Sequence, residues 1–317
     1  YISDGSDESV DVISAFEELT GIKINYTTFD TNESMYAKLK SGGASYDVIF
    51  PSDYMLGKMA NEGMLLPLNK ENIPNLAGIS ELYLDKEYDP GNVYSVPYMW
   101  CMVGITYNKD MVDEADLEQG WNLLWDPRYT GQILQFNNSR DCFAMALKTL
   151  GRSMNPTSTQ DIDDALVKLQ EQKPLVQSYV MDEIFDKLEG ENALIGAYYY
   201  GDFLTMQENN PDLAFALPRE GTNLYVDAMC IPKGAENKEN AEKFINFMCS
   251  TQAGLKNCEE IWYSSPLLSV REELDPETAN DPYAYPTDDV YAKTESFACL
   301  SPEIRELYNS EWIRLLK

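Results

Sequence analysis

Apolar residues in the first part of the chain recur at two different periods. Val12, Ile13, Phe16 and Leu19 fall at helical spacing with Gly21 after them, so a helix is predicted over 7–20, capped by Ser6 or Ser9. Ile22 to Tyr26 alternates apolar with polar, the pattern of a half-buried strand. Asn32 is placed to cap a second helix, Glu33 to Ser41, which Gly42-Gly43 ends. Asp47-Val48-Ile49-Phe50 is a short apolar run halted by Pro51, a residue with no N–H for a ladder. It reads as a buried strand of a parallel sheet, and a helix over Met55 to Asn61 follows it. Helix, strand, helix, strand, helix is the order of a doubly wound α/β sheet.

Beyond residue 92 the pattern changes scale. Val96 to Asn108 is strand-like over an unusual length, and Leu224 to Pro232 is a second such segment. Between them Ile133–Phe136, Ala193–Tyr198 and Leu213–Leu217 read as strands, and 161–170 and 181–188 as helices. Asn137-Asn138-Ser139-Arg140-Asp141 opens a helix running to Leu150. Helices at 240–249, 252–261 and 303–317 complete the chain. Two long strands, a third and two thirds along, imply a chain that passes between two lobes at least twice. The expected lobes are therefore discontinuous: 1–101 with 227–273, and 102–226 with 274–317. That is the plan of proteins that close on a ligand in a cleft between two lobes.

Composition narrows the chemistry. The 317 residues include 53 Asp or Glu and 24 Lys or Arg, a formal net charge of −29. Such a chain is repelled by nucleic acid and anionic lipid, and its field favours a cationic partner. It has no histidine, which removes the commonest general base, the Ser–His and Cys–His nucleophile pairs and the commonest metal ligand. The six cysteines form no C-x-x-C, which argues against structural zinc. Cys142 and Cys230 lie in apolar runs as small buried hydrophobes, and Cys249 could meet Cys258. No apolar run is long enough to span a bilayer. No signal peptide is visible, and a start at Tyr1 is consistent with one having been removed.

Candidate chemistry gathers at strand ends. Ser52, Asp53 and Tyr54 follow the strand that Pro51 stops, where open α/β sheets bind ligands. They suit equally a plain strand-to-helix turn with Ser52 as N-cap. Tyr199 and Tyr200 precede Asp202, Tyr225 precedes Asp227, Asp141 follows Asn138, and Trp262-Tyr263 lies further on. Aromatic faces attract an organic ammonium by roughly 0.5–2 kcal/mol each. A buried ammonium also needs a carboxylate partner, because desolvating it costs several kcal/mol. With 21 tyrosines in the chain, any one of these residues alone is better explained as core or surface.

Many stretches, in order, resemble the spermidine/putrescine-binding proteins of bacterial ABC transporters. They include Asp30-Thr31-Asn32-Glu33-Ser34-Met35-Tyr36-Ala37-Lys38-Leu39, Tyr46-Asp47-Val48-Ile49-Phe50-Pro51-Ser52 and Tyr94-Ser95-Val96-Pro97-Tyr98-Met99-Trp100. Further matches are Trp121-Asn122-Leu123-Leu124-Trp125-Asp126-Pro127, Ser139-Arg140-Asp141, Pro218-Arg219-Glu220-Gly221 and Asp227-Ala228-Met229-Cys230-Ile231-Pro232. The resemblance implies an α/β, two-lobe periplasmic-binding-protein fold, type II-like, each lobe a mixed sheet flanked by helices. It implies ligand contacts from Ser52, Tyr54, Asn138, Asp141, Tyr199, Tyr225, Asp227 and Tyr263, and from Tyr1. Asp227 would grip an amine. Tyr225 and Tyr199 stand where the family has tryptophans, Asp141 where it has a glutamate, and Asn138 where it has an aspartate. Phe297 or Ala298 takes the place of a family glutamine. The family also begins with a strand ahead of the position of Tyr1, so the natural chain is expected to extend upstream.

The function implied is capture of spermidine or putrescine outside the cytoplasm, in the periplasm or on the outer face of the membrane, with delivery to ABC permease subunits and their ATPase. A lipid anchor would lie outside this chain. The protein is expected to be a monomer with no catalytic residue, metal or cofactor, no nucleic-acid partner and no membrane span of its own. The rival ligands are a cationic amino acid, a quaternary amine or another small polar solute. Glycosidase chemistry lacks a recognisable acid pair, and a purely adhesive protein would be expected to show repeats, which are absent.

Overall fold

A computed structural model, describing residues 2, 11–29, 31–43 and 45–317, places a single long strand at the centre of the topology. This is β1, Ser95–Asn108, buried at every one of its 14 positions. Its near-continuous apolar sequence explains that burial, since neither face is offered to water. The remaining strands are β2 (Ile133–Phe136), β3 (Val176–Val180), β4 (Ile195–Tyr199), β5 (Leu213–Ala216) and β6 (Leu224–Cys230). They form one mixed sheet in the order β3-β2-β4-β1-β5, with β6 also pairing β1. The β2 pairs with β3 and β4 are parallel, and the β1 pairs with β4 and β5 are antiparallel. Gly104 lets the β5 side approach, because a Cβ there would stand 2.2 Å from the Phe215 ring.

The chain divides into two compact units, 1–101 with 225–285 and 102–224 with 286–317. β1 passes from the first to the second and β6 returns. The third crossing, back into the second unit, lies at Tyr285/Pro286, in the proline-rich stretch, where the expectation was 273/274. In the second unit the helices Ser139–Thr149, Thr159–Gln172 and Pro302–Leu316 pack together, with the rings of Phe143 and Tyr308 4.7 Å apart.

In the first unit the local reading needs correction. Asp47–Phe50 does not join a parallel ladder. It meets β6 antiparallel, through bridges Ile49↔Cys230 and Ser52↔Asp227. Both Ile49–Cys230 backbone bonds are present, at 2.9 and 3.0 Å. No strand is assigned over Ile22–Tyr26 among the described residues. The first helix is Val12–Thr20, capped by Asp11; Ser6 and Ser9 lie outside the described residues. The second helix, Asn32–Lys40, is capped by Thr31 rather than Asn32. Beneath these segments Met35, Ile49, Met55, Leu56, Met59, Leu65 and Cys230 form one buried apolar cluster. Burying such side chains stabilises the unit by about 1.5–3 kcal/mol each.

Among the described residues no disulfide is formed. Five cysteines are buried and Cys299 is half-buried. Burial pushes the thiols of Cys249 and Cys258 up to about 12.

Candidate functional site

The Ser52 hydroxyl does not serve the helix that follows it. Ser52 occupies the N-cap position of the helix Asp53–Asn61, yet its side chain makes no cap hydrogen bond. It donates instead to Asp227 Oδ1 at 2.7 Å. The antiparallel bridge between the two residues supplies the geometry, and Ala228 N–H donates to Pro51 O at 3.0 Å alongside it. Alternation along β6 does the rest: Val226 and Ala228 are buried while Asp227, between them, is half-buried. Burial pushes the Asp227 carboxyl above its usual range, and the Ser52 hydrogen bond pulls the other way. A carboxylate that is costly to keep charged, and held by a neutral donor, is a natural partner for an ammonium ion.

The candidate aromatic residues of the same unit fall into two places. Tyr225, one pleat before Asp227 on β6, packs edge-on against Tyr263 with ring centroids 6.1 Å apart and planes at 76°. Tyr263 follows Trp262, whose left-handed backbone (φ 59°) ends the helix Thr251–Ile261. Tyr54 turns its hydroxyl to Glu33 Oε1, at 3.1 Å. Neither Glu33 nor Asn32, which pairs with Ser52, was singled out as a binding residue from the sequence. Asn32 carried the competing signature of a helix cap, which hid its contact with a residue 20 positions on.

In the second unit the expected residues sit at the carboxyl ends of neighbouring parallel strands. Asn138 and Asp141 follow β2, and Tyr199 ends β4. Phe136, the last residue of β2, has its ring 5.2 Å from that of Tyr199. Tyr199 is half-buried, whereas Tyr198 is buried and bonded to Asp182 Oδ1 at 3.2 Å, so Tyr199 is the more accessible of the two. Asn138 has a structural task at the start of the helix that the sequence places there. It is the N-cap of the helix Ser139–Thr149, its Oδ1 accepting from Arg140 N–H at 2.8 Å. Asp141 is buried in the first turn of that helix, where the dipole favours negative charge. Phe297 and Ala298 seat Arg140: the guanidinium lies 4.5 Å over the Phe297 ring and donates to Ala298 O at 3.2 Å. Tyr1 lies outside the described residues.

The chain as a whole has close relatives. The spermidine/putrescine-binding periplasmic protein of Salmonella typhimurium is 36% identical over 286 residues, covering 90% of this chain and 82% of the relative. Spermidine/putrescine-binding periplasmic protein 1 of Haemophilus influenzae is 32% identical over 292 residues, covering 92% of this chain and 79% of the relative. The solved structure of the spermidine/putrescine ABC transporter substrate-binding protein PotD from Streptococcus pneumoniae, in complex with calcium and HEPES, superposes with a TM-score of 0.85 at 35% identity. That match covers 96% of this chain and 94% of PotD. The family model for bacterial extracellular solute-binding proteins matches residues 11–287. With its mixed sheet, its two strands shared between units and these relatives, the chain belongs to the bacterial extracellular solute-binding protein family and has the periplasmic-binding-protein fold.

Proposed function

We propose that this protein is the extracytoplasmic binding component of an ABC importer and that its ligand is a polyamine, spermidine or putrescine. It binds rather than transforms the ligand and hands it to permease subunits. The observation that carries this reading is the Ser52–Asp227 pair, a partly buried carboxylate held by a hydroxyl, next to the paired rings of Tyr225 and Tyr263. The relatives' names point to the same ligand class. In this reading Asn138, Asp141 and Tyr199, at the strand ends of the second unit, are ligand contacts as well.

Calorimetry with putrescine, spermidine, spermine, lysine, arginine and choline tests it. Saturable binding of a polyamine, without turnover, is the expected result. Thermal unfolding should shift in parallel, since ligand at 100 times its dissociation constant stabilises the folded state by about 2.7 kcal/mol. Tighter binding of lysine, arginine or choline would overturn the polyamine assignment while leaving a cation-binding site.

Asn138 makes a narrower prediction about ligand length. An aspartate there can keep the cap bond to Arg140 N–H with one oxygen and offer charge with the other. Charge-assisted hydrogen bonds are about twice as strong as neutral ones. Asn138→Asp is expected to leave stability unchanged or slightly raised, and to strengthen binding of the triamine spermidine more than that of the diamine putrescine. Equal changes for both amines in calorimetry would show that residue 138 does not read the additional amine.

A further inference from the structure

The hydrogen bonds around Ser52 have a direction that can be fixed atom by atom. Its backbone N–H can only donate, and it does so to Asn32 Oδ1 at 3.1 Å. That orients the Asn32 amide, so Nδ2 must face the hydroxyl, where it donates to Ser52 Oγ at 3.1 Å. The hydroxyl, accepting from Asn32, turns its own hydrogen to Asp227 Oδ1 at 2.7 Å. The relay runs one way and ends on an acceptor.

We propose that Asn32 is a positioning residue for the cation site: it locks the Ser52 hydroxyl as a donor to Asp227, holding one carboxylate oxygen and presenting the other to the ammonium. This rests on the reading of Asp227 as the residue that grips an amine. Without the Asn32 amide, the hydroxyl loses the donor that holds its oxygen in place and can swing to another rotamer, away from the carboxylate. The helix does not need Asn32 for its own stability. Thr31 and Ser34 form a capping box at that end, with Thr31 Oγ1 accepting from Ser34 N–H at 3.1 Å. Asn32 is half-buried in the first turn, and its side chain bonds with a residue of the facing segment rather than with its own helix.

The test is a double-mutant cycle read by calorimetry with putrescine and spermidine. Asn32→Ala is expected to weaken binding by about five- to tenfold, on the scale of one hydrogen bond to a charged network. In a Ser52→Ala background the same substitution should have no further effect, because the relay is already cut. A purely structural role for Asn32 would weaken binding equally in both backgrounds, and that result, or no effect on the wild type, would overturn the proposal. If thermal unfolding shows that Asn32→Ala does not fold, Asn32→Ser serves, since its short side chain cannot bridge both Ser52 atoms, and the same cycle applies. Wild-type protein that binds no amine would overturn the polyamine reading together with this one. Amine binding by the wild type with no coupling in the cycle would overturn this one alone.

Discussion

Asp227→Asn is expected to weaken polyamine binding by roughly a hundredfold to a few thousandfold while making the unliganded protein more stable at neutral pH. The first effect follows from breaking a desolvated ion pair, which costs about 3–5 kcal/mol. Ser52→Ala, which removes one hydrogen bond to that carboxylate, should cost only about tenfold. The second effect follows from the sign of the proton shift. Burial raises the Asp227 carboxyl above its unfolded value. As pH rises from strongly acid, the unfolded chain ionises first and the folded state loses stability. The loss is complete once pH passes the raised folded value. At neutral pH the free protein therefore carries an unfavourable charge that asparagine removes. Ligand binding inverts the balance, because the ammonium needs the ionised form. Affinity should thus fall as pH drops through the raised Asp227 value. Calorimetry gives the affinities and thermal unfolding of the free protein gives the stability. A lower melting temperature for free Asp227→Asn would mean that the carboxylate stabilises the fold instead.

Gly221→Ala is expected to destabilise the protein by about 3 kcal/mol or more, a large share of the marginal stability of any domain. Gly221 has φ 89°, a conformation that an L side chain adopts only with strain. A Cβ there would also stand 2.1 Å from the backbone oxygen of Lys293. Neither segment can give way easily. Trp121 Nε1 donates to Gly221 O at 2.9 Å, and Glu295 N–H donates to Thr222 O at 3.0 Å. Leu224 N–H returns to Glu295 O at 3.1 Å, and Lys148 pairs with the Glu295 carboxylate. The control is Gly234→Ala, where no atom lies within 4 Å and φ is not positive. Its substitution should be neutral or stabilising by a few tenths of a kcal/mol. Denaturant midpoints at constant slope compare the two. A Gly221→Ala midpoint equal to that of Gly234→Ala would show that the turn relaxes.

The parts of the fold legible in the sequence were those where one local signal acted without competition. The helix Thr159–Gln172 shows its apolar stripe through Ile162, Leu166 and Leu169, and both long strands, β1 and β6, show as extended apolar runs. Elements without that stripe escaped notice. The helix Tyr200–Asn209 begins with Tyr200-Gly201-Asp202, which reads as a turn, and β3 has four half-buried residues and no clean alternation. The site was legible to the same degree. Ser52 and Asp227 were each visible as chemistry, but they are 175 positions apart, and only the bridge between their segments makes them a pair. The resemblance offers Asn138 as a binding residue, and what its bond to Arg140 N–H shows is a helix cap. Asn32 was read as a cap, and it bonds with Ser52 instead.

The buried thiols bear on how such a chain can be exported. Six cysteines passing through an oxidising space invite mispairing, because exchange requires an accessible thiolate. In the folded protein five of them are buried, and burial raises Cys142 and Cys230 as well as Cys249 and Cys258. The hazard therefore lies almost wholly in the interval before folding. Burial is the protection the fold itself supplies, and Cys299 is the position where it is thinnest.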